Sequence, residues 1–427
     1  MLDLAFIREH PDLIKDVARR RHAPVDIDAL LAVDAELRTV RRRAEDLRAE
    51  QNRTSKAIRE AGKNQAAREQ AIAAGRELAA ELKVLEPRER ELEERLRELW
   101  LMVPNIPDAS VPEGQSEEDN VEIKRVGHPR RFDFEPLDHV ALMRGLDWLD
   151  LERAAKIAGS RSYILKGDAV LLEMALMQFA VQSVARKGFT PLDVPVMAKE
   201  FAFFGNGQFP RGREQTYALP EDEVYLIGTA EVSITGMHSG EILNERDLPI
   251  KYVGYSPCFR REAGTYGKDT KGIMRVHQFY KVEQYIICRA DHEESVRWHE
   301  ELLRNSEEIV QALELPYRVL NLCVADLGDA KVKGYDVECW VPSENRYRET
   351  HSDSYFHDFQ ARRADLRYRD SEGVVRYVHT LNNTALASTR AIIALVENHQ
   401  QANGTIRVPE ALRPYLGGRE VLGKPWR

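Results

Sequence analysis

Apolar side chains recur at alternating spacings of three and four residues along the first quarter of the chain, in two runs separated by a turn signal. Such heptad spacing places the apolar positions on one seam of a helix, and two matched runs about a turn predict an antiparallel helical hairpin, a coiled coil. The turn is Ala61-Gly62-Lys63-Asn64, and Pro87 predicts a kink in the second arm. The seam consists of Leu30, Val33, Leu37, Val40, Ala44, Leu47, Gln51, Thr54 and Ile58, then Leu78, Leu82, Leu85, Glu89, Leu92, Leu96 and Leu99.

The heptad pattern gives way to a segment rich in proline, acidic and small polar residues at 102–120, which we interpret as a linker. Beyond it, short strand-like runs alternate with apolar helices, one of which begins near Asp168 and ends at Gly188. Two prolines in the following stretch, 188–195, predict a strand at a sheet edge or an interface. The patterns together predict an α+β protein with domains at 1–110 and 111–427.

The stretch from Tyr255 to Glu283 has the alternation of two strands joined by a basic, glycine-bearing loop. Alternation places Arg260 and Glu262 on one face of the first strand. On the second strand it separates a polar face from an apolar one. A polar face with one aromatic ring is typical of a site for an anionic, ring-bearing ligand, although a hairpin with one solvated side fits the same periodicity. The polar set is Arg275, His277, Phe279, Lys281 and Glu283, and the apolar set is Val276, Tyr280, Val282 and Ile286.

Composition narrows the classes of protein that fit. The chain is 43% hydrophobic with a net charge of −8, so nucleic acid could be bound only through a local basic surface. No apolar signal segment or run long enough for a membrane span is evident, which predicts a cytoplasmic protein without membrane contact. The four cysteines form no CxxC pair, so neither a zinc site nor a disulfide framework is expected.

Basic residues are frequent along the predicted hairpin, where acidic residues interleave with them. Two interpretations fit: a coiled coil that dimerises the protein, which is a common use of heptads and is favoured by the seam alone, or a rod that reaches a large partner. The basic positions are Arg38, Arg41, Arg42, Arg43, Arg48, Arg53, Lys56, Arg59, Lys63, Arg68 and Arg76.

Five short motifs resemble, in this order, those of the class II aminoacyl-tRNA synthetases and among them the seryl-tRNA synthetase family: TAE (229–231), FRREAG (259–264), VHQFYKVE (276–283), RETHS (348–352) and TLNNTALA (380–387). Residues 188–195 and Thr389-Arg390 are similar to the first and third class motifs. The resemblance spans essentially the whole chain. It implies an antiparallel sheet flanked by helices in a homodimer, and an N-terminal arm that grips tRNA.

The resemblance also implies an enzyme, a ligase that joins L-serine to tRNA(Ser) at the expense of ATP, with tRNA(Sec) as a further candidate substrate. Arg260, Glu283 and Arg390 would be catalytic, and Glu349 and Ser352 would hold Mg²⁺. Zinc is not expected. Serine would be bound by Thr229, Ala230, Glu231, Arg260, Glu283, Asn382 and Thr384. ATP would be bound by Arg260, Arg261, Glu262, Arg275, Val276, Phe279, Glu349, Thr350, His351, Ser352 and Arg390, with His351 equally interpretable as a mere neighbour.

Some positions depart from the commonest family form. Gly228 replaces a proline, Asp353 replaces a cysteine, and Asn383-Thr384-Ala385 replaces Gly-Ser-Gly. Asp353 adds a charge next to the expected metal ligand Ser352, whereas Thr384 keeps the hydroxyl. Two other functions were weighed against a tRNA ligase. A ligase acting on a carrier protein would not need the long arm, and a non-catalytic scaffold would not need to keep the arginines and carboxylates of the motifs.

Overall fold

The computed structural model describes residues 1–61, 64–264, 267, 269 and 271–423. They divide into two compact units, Leu2–Pro104 and Asn105–Arg427 together with Met1. Two residues of the predicted turn, Gly62 and Lys63, lie outside the described residues. So do Thr265, Tyr266, Lys268 and Thr270 of the predicted basic loop.

The first unit contains the predicted antiparallel hairpin. Its helices are α1 (Leu4–Glu9), α2 (Pro11–Arg20), α3 (Ile27–Glu60) and α4 (Gln65–Leu101). Because α3 has 34 residues, each arm is roughly 50 Å long. Asn64 begins the second arm by accepting the Ala67 N–H at 3.2 Å, and α4 runs through Pro87 as one continuous helix. Seam residues of both helices are buried, among them Leu30, Leu37, Ala44, Leu47, Leu82, Leu92 and Leu96.

The second unit is built on an eight-stranded sheet whose strands, in spatial order, are β1 (Val121–Val126), β11 (Tyr317–Asn321), β12 (Lys333–Val341), β13 (Arg346–His357), β16 (His379–Ala387), β10 (Gln278–Cys288), β9 (Ile250–Phe259) and β4 (Thr190–Asp193). All its pairings are antiparallel except that of β4 with β9, and β4 forms one edge, as its prolines predict. Its helices are α5 (His139–Gly145), α6 (Leu151–Ala158), α7 (Asp168–Ala185), α8 (Glu200–Asn206), α9 (Ala230–Met237), α10 (His292–Ala312), α11 (Phe359–Ala364) and α12 (Ser388–His399).

The strands are short except for those at the centre of the large sheet. They are β1 (Val121–Val126), β2 (Leu149–Asp150), β3 (Ile164–Leu165), β4 (Thr190–Asp193), β5 (Met197–Lys199), β6 (Ala218–Leu219), β7 (Val224–Leu226), β8 (Ile242–Asn244), β9 (Ile250–Phe259), β10 (Gln278–Cys288), β11 (Tyr317–Asn321), β12 (Lys333–Val341), β13 (Arg346–His357), β14 (Arg367–Arg369), β15 (Val375–Tyr377), β16 (His379–Ala387), β17 (Ile406–Arg407) and β18 (Val421–Leu422).

The two faces of β10 have different neighbours. Val282 and Ile286 belong to the main core, which includes side chains of α7, α10 and α12. Tyr285 and Ile287, of opposite parity, pack with side chains of α8, α9 and α11. Alternation therefore points Lys281 and Glu283 to the same face as Tyr285, where the cavity described below opens.

Helix α7 corrects one expectation from composition. Its 18 residues are apolar enough to cross a membrane by length and composition, contrary to the prediction that no run is. Half of that window is buried inside the fold, as in the core helix of a folded domain. The helix begins at Asp168 itself, whose carboxylate accepts from Arg419 at 2.7 Å.

Candidate active site

A cavity of about 200 Å³ lies on the α9 side of the large sheet and gathers residues from widely separated parts of the chain. Fourteen of the predicted site residues line it: Thr229, Glu231, Arg260, Glu262, Arg275, Val276, Phe279, Glu283, Glu349, Thr350, Ser352, Asn382, Thr384 and Arg390. The motifs that the sequence presents as separate runs therefore converge on one site.

Arg260 follows β9 and is held by neutral groups. Its guanidinium lies 5.2 Å from the centroid of the Phe279 ring and donates to the Gly228 carbonyl at 3.4 Å. The backbone N–H of Arg260 donates to the His277 carbonyl, and the ring N–H of His277 returns a bond to the Arg260 carbonyl, both at 3.0 Å. The contacts fix the backbone of Arg260 and leave its charge without a carboxylate partner among the described residues.

Arg275 is held by two carboxylates at the entrance to β10. It donates to Glu262 at 3.2 Å and to Asp269 at 3.0 Å, and Asp269 also pairs with Arg348 at 2.6 Å. Glu262 has a φ of +51°, an uncommon conformation for a residue with a side chain. Such conformations cluster at ligand sites because the surrounding contacts must impose them.

Glu231 and Glu283 form the carboxylate end of the cavity, and both are buried. Glu231 lies in the first turn of α9, which Thr229 caps by accepting the Glu231 N–H at 3.3 Å. The helix can lie this close to β9 because residue 254 is glycine: a Cβ there would stand 2.8 Å from the Cβ of Ala230. Burial, then the neighbouring charge of Glu283, raises the pKa of Glu231 to about 7.

Glu349 and Ser352 lie on β13 with two cations beside them. Arg390 pairs with the Glu349 carboxylate at 3.1 Å and donates to the Glu349 carbonyl at 2.9 Å. Lys331 donates to the Ser352 hydroxyl at 3.1 Å. Desolvation at the cavity raises the pKa of Glu349, but the charge and hydrogen bond of Arg390, together with the charges of Arg260 and Lys331, outweigh it and hold the pKa below the ordinary value.

The two expected metal ligands fit a nucleotide-borne Mg²⁺ better than a resident ion. Mg²⁺ is commonly held by one or two protein oxygens together with phosphates and water. The Glu349 carboxylate and the Ser352 hydroxyl supply such a pair on one strand. Across the described residues no group of three His, Cys, Asp or Glu side chains is placed to hold a metal on its own.

Three predicted residues do not line the cavity. Ala230 is fully buried beneath Gly254. Arg261 is exposed, and its backbone N–H donates to Gln215 at 2.9 Å. His351 is buried with Nδ1 2.7 Å from the Thr350 hydroxyl, and burial lowers its pKa to about 4. A β-bulge at Thr350 explains why His351 does not line the cavity. The bulge allows the consecutive residues 349 and 350 to reach the cavity, which turns the side chain of residue 351 away from it.

The predicted alternation is wrong at the start of the second hairpin strand. Because β10 begins only at Gln278, residues 275–277 do not alternate with it. Arg275 and Val276 both line the cavity, whereas His277 lines a different cavity with Gln278 and Tyr280.

Asp353 lies away from the expected metal ligands. It is fully buried, with one carboxylate oxygen 3.4 Å from Nε2 of His299 on α10. Its carboxyl group therefore faces the helix layer on the other side of the sheet from Ser352, and burial raises its pKa well above the ordinary value, which favours the uncharged form.

Several cavity residues escaped the motif analysis. Gln208 and Lys331 lie in loops, where no sequence periodicity predicts which way a side chain points. Ser354 continues the alternation from Ser352 and could have been found that way. Lys281 was placed on the polar face but was given no role. The full additional set is Gln208, Met274, Lys281, Lys331, Ser354, Ala387 and Thr389.

Family models match both units of the chain. One described as the seryl-tRNA synthetase N-terminal domain matches residues 1–107. Another, described as the tRNA synthetase class II core domain (G, H, P, S and T), matches residues 216–399.

Relatives of the same kind cover the whole chain. A serine--tRNA ligase of Deinococcus radiodurans is 51% identical over 427 residues, covering 100% of both chains. One of Pyrococcus horikoshii is 43% identical, covering 99% of this chain and 98% of the relative.

Solved structures agree with the sequence relatives. The crystal structure of seryl-tRNA synthetase from Pyrococcus horikoshii complexed with ATP has a TM-score of 0.91 at 41% identity and covers 100% of both chains. A cytoplasmic serine-tRNA ligase from Naegleria fowleri in complex with AMP has a TM-score of 0.85 at 32% identity, covering 99% of this chain and 98% of that one. On this identity and coverage, and with its motifs gathered in one cavity, the chain belongs to the seryl-tRNA synthetase family.

Proposed function

We propose that this chain is a serine–tRNA ligase, which activates L-serine with ATP and transfers the seryl group to the 3′ end of tRNA(Ser). The observation that carries the proposal is the set of residues that line the cavity described above. Buried carboxylates suited to an ammonium and a hydroxyl line it together with arginines suited to phosphates and with Phe279, suited to an aromatic base.

Activation brings two anions together. A carboxylate oxygen of serine attacks the α-phosphorus of ATP, the bond to the pyrophosphate oxygen breaks, and seryl-adenylate and pyrophosphate form. Arg260 is the residue that offsets the repulsion, since its guanidinium is oriented by Phe279 and Gly228 rather than neutralised by a carboxylate. Positioning of the reactants supplies the remaining acceleration, so no covalent enzyme intermediate is needed.

Arg275 and Arg390 bind the β- and γ-phosphates in this proposal, and Glu262 and Phe279 bind the adenine. Mg²⁺ held by Glu349 and Ser352 would neutralise phosphate charge. Arg390 is already in contact with Glu349, so the protein carries its own cation at this edge of the site before ATP arrives.

Glu231, Glu283 and Thr384 select serine. A buried site that hydrogen-bonds a hydroxyl disfavours alanine because its own polar groups would lose their partner. In the second step the terminal ribose hydroxyl of tRNA attacks the seryl carbonyl carbon, and AMP leaves.

The remaining proposals concern partners. The domain at 1–110 binds the tRNA, and the domain at 111–427 catalyses both steps of the reaction, with tRNA(Sec) as a second candidate substrate.

We further propose a cytoplasmic homodimer that pairs through α7 and β4. Exposed apolar side chains on and near α7, those of Ile157, Val170 and Met174, support that surface.

The test is serine-dependent exchange of pyrophosphate into ATP, with alanine, threonine and cysteine as controls, followed by charging of bulk tRNA. We expect exchange with serine above all and charging of serine-accepting tRNA. Exchange without any charging would favour a carrier-protein ligase. The absence of pyrophosphate exchange with every amino acid would favour a non-catalytic scaffold.

A further inference from the structure

The two carboxylates at the amino-acid end of the cavity have different partners. Glu283, 1% exposed, forms an ion pair with the ammonium of Lys281, itself 6% exposed. Glu231, 7% exposed, accepts a hydrogen bond from the Gln360 amide at 2.5 Å. Within the described residues no ion pair to Glu231 is found.

The orientation of Gln360 is fixed by its own contacts. Its carbonyl oxygen accepts from the hydroxyls of Thr380 at 2.6 Å and Tyr285 at 3.3 Å. Its amide nitrogen donates to the Asn206 carbonyl at 2.8 Å and to Glu231. A flipped amide would lose these bonds, so the partner of Glu231 is a neutral donor.

A buried carboxylate stays ionised at low cost only with a cation beside it. Lys281 supplies that cation to Glu283 on the same strand. The charged groups facing Glu231 are Glu283 and Lys281 on β10 and Lys331 on the loop before β12. A second cation reaching this end of the cavity would therefore find Glu231 as the acceptor that still requires a charge partner.

We propose that Lys281 is a positioning residue of the amino-acid subsite, which neutralises Glu283, leaves that carboxylate to the serine hydroxyl, and so reserves Glu231 for the α-ammonium of the substrate. The proposal rests on the proposed activation of serine and adds a residue to it. Without Lys281, the two carboxylates would share protons and would compete for the ammonium.

Binding of an ammonium to Glu231 requires the ionised carboxylate. With the pKa of Glu231 raised to about 7, the KM for serine rises as the pH falls below that value. Removing the positive charge of Lys281 strengthens the effect of Glu283 and moves this rise to higher pH. A lysine that merely fills space would leave the midpoint of the pH profile where it is.

The experiment uses the full chain with Lys281→Met, Lys281→Arg and the control Lys333→Met. Lys333 lies outside the cavity and donates to the Ser110 hydroxyl at 2.9 Å. Serine and ATP KM values are measured by pyrophosphate exchange from pH 6 to 9. For Lys281→Met we expect a midpoint about one pH unit higher and a serine KM raised about fivefold at pH 7, since a pKa moved from about 7 to about 8 lowers the ionised fraction at pH 7 from about one half to about one eleventh. The ATP KM should stay unchanged, and Lys281→Arg should restore the profile.

Equal changes in both KM values with an unmoved midpoint would overturn the proposal, as would a Lys281→Arg variant no better than Lys281→Met. If Lys281→Met does not fold by thermal melting, Lys281→Gln, which lacks the charge but keeps a donor, is held to the same expectations. A wild-type chain without serine-dependent exchange would overturn the proposed function itself, a result distinct from any behaviour of the variants.

Discussion

At the scale of the residue, the contacts of Arg260 leave its charge available to a ligand and contribute little to the stability of the fold. Its guanidinium lies over the Phe279 ring and donates to one carbonyl, and within the described part of the chain it forms no ion pair, so replacing it leaves no carboxylate there without its ion-pair partner. For Arg260→Gln we expect a fall in kcat for pyrophosphate exchange of about 10²–10³-fold, the usual loss when a transition-state donor is removed. Thermal melting should be unchanged. Arg376→Gln, which removes an exposed arginine paired with Asp370 at 2.8 Å, is the control and should keep full activity.

His399 makes a second residue-scale prediction, about acid stability. Its Nε2 lies 2.8 Å from the Leu313 carbonyl, and Nδ1 lies 2.9 Å from the Arg407 guanidinium, so it is neutral with Nε2 as donor. Burial lowers its pKa to about 4. A pKa lowered in the folded state means that stability is full above about pH 6.5 and is lost as the pH falls towards 4.

The expected loss between pH 7 and pH 5 is on the order of 2 kcal/mol in the free energy of unfolding from this group alone. His399→Gln cannot titrate, so its urea unfolding free energy should fall by about that much less over the same pH interval. The same pH dependence in wild type and variant would contradict the assignment of His399 as a neutral buried group.

At the scale of the element, the helical hairpin depends on a narrow seam. Leu47 is fully buried between the arms, whereas Val84 is 72% exposed on α4. Truncating Leu47 to alanine should cost about 2–5 kcal/mol because it leaves a cavity, and proteolysis within the arm should be faster. Val84→Ala is the matched control, and it should leave the rate of proteolysis as in wild type. Equal rates for both variants would show that the seam does not hold the arm.

The helices and strands also show how much of the structure could be predicted from the sequence. The heptads predicted the arm because a seam repeats over many turns and one irregular residue changes little. Strand alternation predicted Phe279 and Glu283 correctly but failed at His277, since β10 begins only at Gln278. Of the two predicted neighbours Thr350 and His351, the bulge at Thr350 brings only Thr350 to the cavity. Lys331 could not be predicted, because a loop residue reaches the cavity only through tertiary packing.

At the scale of the whole molecule, the two units should contribute separable activities. The cavity residues all belong to the unit Asn105–Arg427, so activation of serine should not need the arm. Deleting residues 30–100 should preserve pyrophosphate exchange within about twofold but reduce tRNA charging at least a hundredfold, because the contacts to the tRNA backbone supply much of the affinity. Parallel losses of both activities would instead mean that the arm is needed for the catalytic unit to fold.

A milder change tests whether those contacts are ionic. Arg53, Lys56 and Arg59 are exposed on α3, and the ion pair of Lys56 with Glu60 is long, at 3.6 Å. Replacing all three with glutamine should weaken the salt dependence of kcat/KM for tRNA. Each lost phosphate contact lowers the slope of log(kcat/KM) against log salt by about 0.7–0.9. Serine and ATP KM values serve as internal controls, since neither substrate contacts the arm in the proposed mechanism. An unchanged slope would place the tRNA elsewhere and leave the hairpin as a coiled coil without a role in recognition.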